Sequence, residues 1–134
     1  MNTTLTHLRL FHYYSITKYA GSLSDALKVN TVLTNLDLSG NKIDDSGAVF
    51  LSDAIKVNTV LTNLHLSSNN IGGSGAGSLS PDAVKVNTAL KNVNLHHNNI
   101  GDSGAFFLSD AIKVNTVLTN LDLLSNNVSD SGAS

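Results

Sequence analysis

The spacing of apolar residues alternates between two patterns along the chain. Leu36 and Leu38 are spaced by two, which predicts a short strand with one buried face. Further on, Ala48, Leu51 and Ile55 follow helical spacing, which places one apolar stripe on a helix of about three turns. The Asp-Ser-Gly-Ala segment between them is typical of a helix start. The pattern therefore predicts a unit made of one strand and one helix.

This strand–helix unit recurs with a fixed period. Copies begin at residues 5, 33, 61, 90 and 118, which gives spacings of 28, 28, 29 and 28. The copy at Leu5 is degenerate and the copy at Leu118 is incomplete. One unit cannot bury both of its apolar faces, whereas stacked units can, with parallel strands on one side and helices on the other. The sequence therefore predicts a single α/β repeat domain over residues 1–134, an open solenoid of about five repeats.

The repeated motif resembles that of leucine-rich repeat proteins. Its frame is Leu33-x-x-Leu36-x-Leu38-x-x-Asn41-x-Ile43. The same frame returns at residues 61–71, 90–100 and 118–128. The period and the full helix are similar to the ribonuclease-inhibitor-like subtype, which also occurs in NOD-like receptors and Ran GTPase-activating proteins. The resemblance implies a horseshoe segment with strands on its concave face and helices on its convex face. It departs at one point, since the Cys often found at alternate repeats of the ribonuclease inhibitor is absent.

Composition narrows the class of partner. The chain has 8 basic and 10 acidic residues, and this near balance disfavours nucleic acid or an anionic membrane as the main partner. The absence of Cys excludes a disulfide framework and a thiolate zinc site. His7, Arg9 and His12 interrupt the place where a signal peptide needs an apolar run. These observations predict a cytoplasmic protein that does not enter membranes.

A glycine-rich segment, Gly72–Gly77, is the first candidate for a chemical site. It lies between a predicted strand and a predicted helix, as phosphate-binding loops do. However, from Gly73 or Gly75 the last glycine of the dinucleotide fingerprint would fall on Ser78 or Ser80. The Walker pattern also fails, because no Lys-Ser or Lys-Thr follows. We therefore interpret these glycines as part of the repeat rather than as a nucleotide site.

Metal binding and catalysis are the other two candidate chemistries. His65 and His96 fall on neighbouring predicted strands, but two His without a nearby Glu or Cys make a poor zinc site. Ser, His and Asp are all abundant, yet neither a strained nucleophile turn nor an enclosing pocket is indicated. We therefore expect no metal, no cofactor and no enzymatic activity.

Four asparagines recur at one position of the repeat and form what we call the inner column. Its members are Asn41, Asn69, Asn98 and Asn126. Each follows a predicted strand, where the turn leaves backbone groups without partners. Because a buried amide must itself be paired, we interpret these side chains as scaffold rather than as a ligand-binding ladder.

Strand residues that point away from the core are the best candidates for binding. On the Leu36 and Leu38 frame the outward positions are Asn35, Asp37 and Ser39. Across the repeats, the first of these three positions is mainly Asn, whereas the residues at the other two vary. Such variation is typical of a recognition surface, but neutral drift of exposed residues produces the same pattern. The candidate binding residues are His7, Arg9, Phe11, Asp37, His65, Asn94, His96 and Asp122. Their mixed charge and few aromatic rings predict a modest, polar protein interface.

The third repeat departs from the others. Gly77 and Ser78 replace Val49 and Phe50, and Pro81 is an additional residue. We expect these changes to cost the helix of this repeat apolar contacts and helix propensity. The pattern predicts a helix that restarts late, with Ser80 as N-cap and Pro81 at its first position.

The predicted function is a non-enzymatic module that binds a protein on its concave strand face. One alternative is a regulator of a small GTPase, which the resemblance to Ran GTPase-activating proteins implies. Another is an uncapped fragment of a larger receptor or scaffold with no separate activity. Leu121, Leu123 and Val128 would lack a covering neighbour, so either more chain or a second copy is expected to cover this end. Self-association through uncapped ends is therefore a further possibility.

Overall fold

Strands and helices alternate along the chain. The computed structural model describes residues 2–11, 16–84 and 86–130, apart from the side chains of residues 81–83. The strands are β1 (His7–Arg9), β2 (Asn35–Asp37), β3 (Asn63–His65), β4 (Asn92–Asn94) and β5 (Asn120–Asp122). The helices are α1 (Ile16–Val29), α2 (Asp45–Val57), α3 (Gly73–Ser78) and α4 (Gly101–Ile112), and a π-helical segment, Leu79–Val84, directly follows α3. This alternation confirms the predicted strand–helix unit.

The strands form one parallel sheet in the order β1-β2-β3-β4-β5. Equivalent residues of successive repeats lie opposite each other, as Leu36 does with Leu64 and Leu64 with Val93. Sequence neighbours are thus neighbours in the sheet, which is the arrangement of a solenoid whose repeats contact the repeats before and after them. The predicted α/β repeat solenoid is confirmed.

The core lies between the sheet and the helices. Leu36 and Leu38 point into it from β2 and its following turn, and Ala48, Leu51 and Ile55 meet them from α2. All five are buried, so the predicted apolar stripe is the face that the helix turns to the sheet. In the part of the chain that the structure describes, none of the helices combines the length and the apolar character needed to cross a bilayer.

Polar side chains fix both ends of α2. The carboxylate of Asp44 accepts a hydrogen bond from Gly47 N at 3.0 Å, which caps the first turn. After the helix, Asn58 Oδ1 accepts from Leu61 N at 2.7 Å, and Asn58 Nδ2 donates to Leu27 O of the preceding repeat at 2.8 Å. Asn58 therefore ends its helix and also joins two repeats.

The helix of the third repeat does not restart at Ser80, so that prediction is wrong. It begins at Gly73, and its C-terminal part continues as the π-helical segment Leu79–Val84. Ser80 is buried, and its hydroxyl donates to Phe107 O at 2.5 Å instead of capping a helix. A π-helix holds more residues per turn than an α-helix, so it accommodates the additional residue without a break.

Candidate functional site

The sheet aligns five of the predicted binding residues in one row. The strand register pairs Arg9 with Asp37, Asp37 with His65, His65 with Asn94, and Asn94 with Asp122. We call this set the central row. Its members alternate in direction with the leucine or valine that each strand turns toward the core, so they lie on the face opposite the helices. The structure therefore brings these residues together on the concave face.

The other three predicted residues flank the central row. His7 pairs with Asn35 at the start of the strands. Phe11 lies beyond β1 with 47% of its surface exposed. His96 lies beyond β4, where its backbone N–H donates to Asn94 Oδ1 at 2.9 Å. All eight predicted residues thus lie within or beside the strand face, although no contact there identifies a ligand.

Charged and aromatic groups meet at the β1 end of this face. Arg9 Nε lies 3.2 Å from Asp37 Oδ2, and the guanidinium lies 4.8 Å from the centre of the Phe11 ring. A shallow hollow of about 280 Å³ opens beside them. Its lining residues are His7, Leu8, Arg9, Asn35, Asp37 and His65. The hollow offers a cation, a carboxylate and imidazole groups within one small area.

The pKa of Asp37 is lower than the ordinary value for aspartate. Partial burial by itself raises this pKa, because it disfavours the charged form. Hydrogen bonds from the side chain and backbone of Ser39, together with the charges of Arg9 and His65, act in the opposite direction and outweigh burial. Asp37 is therefore held as a carboxylate at neutral pH.

Three side chains of the central row also stabilise the ends of their own strands. Asp37 Oδ1 accepts from Ser39 N at 3.0 Å, and Asp122 Oδ1 accepts from Leu124 N at 3.0 Å. Asn94 makes the equivalent bond in its own repeat. The sequence analysis missed this role. The available signal was an Asp or Asn at the last position of a predicted strand, where such a side chain can accept from the backbone N–H two residues further on.

A second set of asparagines forms a ladder along the concave face. This concave column consists of Asn35, Asn63, Asn92 and Asn120, which lie opposite one another in the register. Asn63 Nδ2 donates to Asn35 Oδ1 at 2.5 Å, and Asn92 Nδ2 donates to Asn63 Oδ1 at 2.6 Å. The sequence showed the column but not that its amides bond to each other. The ladder places a line of amide groups beside the central row.

The inner column has the scaffold role that was predicted. Asn69 Nδ2 donates to Leu38 O at 3.1 Å and to Leu66 O at 2.9 Å. Asn69 Oδ1 accepts from Asn41 N at 3.0 Å and from Ile43 N at 2.9 Å. The side chain is buried, so it pairs backbone groups of two successive repeats where water does not reach them.

The glycines at the start of α3 serve close packing. A Cβ atom at Gly73 would lie 2.6 Å from Ser103 Oγ, and one at Gly75 would lie 2.6 Å from Asp45 Oδ1. Asp45 Oδ1 also accepts from Gly72 N at 2.6 Å, which joins the second repeat to the third. These contacts give the glycines a structural reason within the solenoid. As for metals, the described residues contain no group of three or more His, Cys, Asp or Glu that could hold an ion.

Comparisons with known proteins agree with this architecture. A family model described as Leucine Rich repeat matches residues 29–52, 57–80, 86–109 and 114–134. It does not separate subtypes, so the ribonuclease-inhibitor-like subtype stays a prediction. No protein with a curated description matches the sequence.

The solved structures with a similar fold include the following two. The structure of Leiomodin-1 Actin-Binding Site 2 has a TM-score of 0.80 and 27% identity, and the match covers 87% of this chain and 69% of that chain. The tropomodulin C-terminal domain of Caenorhabditis elegans has a TM-score of 0.79 and 18% identity, over 98% of this chain and 80% of that chain. At that identity the second match supports the fold alone.

Proposed function

Because the chain belongs to the leucine-rich repeat family, we propose that it is a non-enzymatic module that binds a protein partner on its concave face. The observation that carries this proposal is the register of the central row, which turns residues from all five strands into one continuous polar strip. Residues 1–134 would act as one such domain in the cytoplasm.

The composition of the strip indicates how it would bind. Arg often contributes much of the binding energy at protein interfaces, and Phe is enriched there; Arg9 and Phe11 are both exposed at the β1 end of the face. Asp37 and Asp122 add negative charge, and the concave column adds amide donors and acceptors. A partner surface with mixed charge and exposed polar groups would complement this strip.

Actin is the partner that we propose to test first. The support is the likeness to Leiomodin-1 Actin-Binding Site 2, a structure that is 27% identical over 87% of this chain. The small-GTPase alternative has no comparable support, and a GTP hydrolysis assay with and without the chain would test it.

The decisive variant combines Asp37→Ala, His65→Ala and His96→Ala. We expect affinity for monomeric actin, measured by fluorescence anisotropy, to fall at least about tenfold, because Asp37 and His65 lie within the strip and His96 lies directly beside it. Circular dichroism should show that the variant remains folded, since all three side chains are only partly buried.

The matched control carries the same number of alanine substitutions on the convex side. It combines Asp53→Ala, Lys56→Ala and Asp110→Ala, which are exposed positions on α2 and α4. This variant should bind like the unmodified chain. Equal affinity of both variants and the unmodified chain would contradict the concave-face assignment, whereas no actin binding by the unmodified chain would contradict only the choice of partner.

A further inference from the structure

Arg9 is the most exposed member of the central row, and the carboxylate that it pairs with lies deeper. The side chain of Arg9 is 65% exposed, whereas that of Asp37 is 27% exposed. The other three members of the row are half-buried. A partner that approaches the β1 end of the strand face therefore meets a cation before it meets the carboxylate behind it.

Two contacts restrain the guanidinium of Arg9. Its Nε lies 3.2 Å from Asp37 Oδ2, and its carbon atom lies 4.8 Å from the centre of the Phe11 ring. Asp37 is itself held in place, because its Oδ1 accepts from Ser39 N at 3.0 Å. A guanidinium has five N–H donors, and a single carboxylate accepts from two of them at most. A restrained cation is thus left with donors to offer a ligand.

A second donor lies at the same hollow because the amide ladder runs in one direction. Along the concave column each Nδ2 donates toward the preceding repeat, from Asn92 to Asn63 and from Asn63 to Asn35. The ladder ends at Asn35, because the strand register pairs it with His7, which has no amide oxygen. Among the residues that the structure describes, Asn35 Nδ2 has no hydrogen-bond acceptor, and Asn35 lines the hollow. The hollow therefore combines a charged donor with a neutral one.

We propose that this hollow binds the carboxylate of an Asp or Glu side chain on the protein partner. We call it the Arg9 hollow, and its lining residues are His7, Leu8, Arg9, Asn35, Asp37 and His65. A planar carboxylate has two oxygens and can accept from Arg9 and from Asn35 Nδ2 at once. The inference rests on the proposed function of the concave face and adds the chemistry of the group that the partner presents there.

Size and charge favour one acidic side chain over other anions. The hollow measures about 280 Å³, which is less than the roughly 300–1,000 Å³ typical of small-molecule sites, and it is open to the strand face. Arg9 is the permanent cation of its lining, and the carboxylate of Asp37 lies beside it. A phosphate group, with nearly two negative charges, would meet stronger repulsion from Asp37 than a carboxylate would.

A small probe tests the hollow without any protein partner. The probe is the amide of N-acetylglutamate, and its uncharged control is the amide of N-acetylglutamine. Titrated into the ¹⁵N-labelled 134-residue chain at neutral pH, the glutamate probe should shift the NMR signals of Arg9 Nε–H and Asn35 Nδ2 with a millimolar Kd, and the control should not. The absence of a saturable shift would overturn the proposal. Equal shifts with inorganic phosphate would overturn the choice of a carboxylate.

Two pairs of variants locate the bound probe. Arg9→Gln should abolish the shift of the Asn35 signal, whereas Lys91→Gln removes an exposed cation outside the hollow and should leave the shift unchanged. Asn35→Ala should weaken binding at least about threefold, as followed at Arg9 Nε–H. Its control, Asn120→Ala at the opposite end of the concave column, should bind the probe normally. Equal losses in Arg9→Gln and Lys91→Gln would indicate a general attraction of charges and would overturn the proposal.

Actin binding separates this inference from the proposed function. Arg9→Gln should lower the affinity for monomeric actin at least about tenfold, whereas Lys91→Gln should not change it. Equal actin affinity of Arg9→Gln and the unmodified chain would overturn the role of the Arg9 hollow in partner binding. The concave-face assignment would still stand, because the triple variant at Asp37, His65 and His96 tests it separately. The probe titration decides whether the hollow binds a carboxylate even if actin is not the partner.

Discussion

Two columns of asparagine run across the same repeats, and the structure uses them differently. In the inner column, Asn69 pairs two backbone carbonyls and two backbone N–H groups in the interior. In the concave column, Asn63 bonds to the side chains of Asn35 and Asn92 at the half-buried strand face. The same amide group is scaffold where its partners are buried backbone atoms. Where its partners are other side chains at the half-buried strand face, we expect it to remain accessible to a partner.

The largest expected effect comes from removing an inner amide. Asn69→Ala should lower the free energy of unfolding by about 2–4 kcal/mol, because it removes four hydrogen bonds to buried backbone groups, although Leu66 O keeps its bond from Asn98 Nδ2. Urea denaturation measures this value. The matched control is Asn70→Ala, an exposed neighbour that should change stability by less than about 0.5 kcal/mol. A loss below about 1 kcal/mol for Asn69→Ala would contradict the scaffold role.

Periodicity explains why this scaffold was predictable. The period and the apolar spacing predicted the strand, the helix and the core face, because burial of apolar residues follows regular geometry. The inner column was also predictable, since an amide beside a turn in the interior has few partners other than backbone. Asn58 ends its helix as predicted because Asn commonly occupies such ends.

One prediction was wrong and one set of contacts was missed, in both cases where the result depends on local hydrogen bonding. Pro81 predicted a new helix start, but the additional residue was taken up by a π-helical segment, and Ser80 bonds to Phe107 O instead. Asp37 and Asp122 were interpreted as outward binding residues without their bonds to nearby backbone N–H groups. Spacing shows which face a side chain occupies, but not which of several nearby partners it bonds.

A smaller effect, an increase in stability, is expected from a substitution in the turn that precedes Asn69. Ser68 directly precedes Asn69 and has φ of 55°, a left-handed conformation that is unfavourable for residues with a Cβ atom. The equivalent residue in the second repeat is Gly40, with φ of 68°. Ser68→Gly should therefore raise the free energy of unfolding by about 0.5–1 kcal/mol in urea denaturation.

The control for this turn is Asn70→Gly, two residues further on. Asn70 is not among the residues with positive φ, so glycine there only increases the freedom of the unfolded chain. Asn70→Gly should thus destabilise the fold slightly. If both glycine variants shifted stability in the same direction, the left-handed turn would not be the cause.

Removing a concave amide should have a still smaller effect on stability. Asn63→Ala breaks bonds to Asn35 and Asn92, but water can replace them at the half-buried strand face. We expect urea denaturation to show a loss of less than about 0.5 kcal/mol, in contrast to Asn69→Ala. A loss as large as that of Asn69→Ala would mean that the concave column is also scaffold, and the face would then be less free to bind a partner.

The smallest expected effect is a pH dependence of the free energy of unfolding, which arises from Asp37 in the central row. The folded-state pKa of Asp37 lies below its unfolded value of about 3.9, so the carboxylate stabilises the fold above that pH. This stabilisation should disappear as the pH falls from about 4 through the folded-state pKa. Asp37→Asn should therefore make the free energy of unfolding less dependent on pH in the acid range. Arg9→Gln should do so only partly, because the bonds from Ser39 remain. Urea midpoints between pH 2.5 and 7 measure both changes. A pH dependence that is unchanged in Asp37→Asn would contradict the lowered pKa of Asp37 in the folded state.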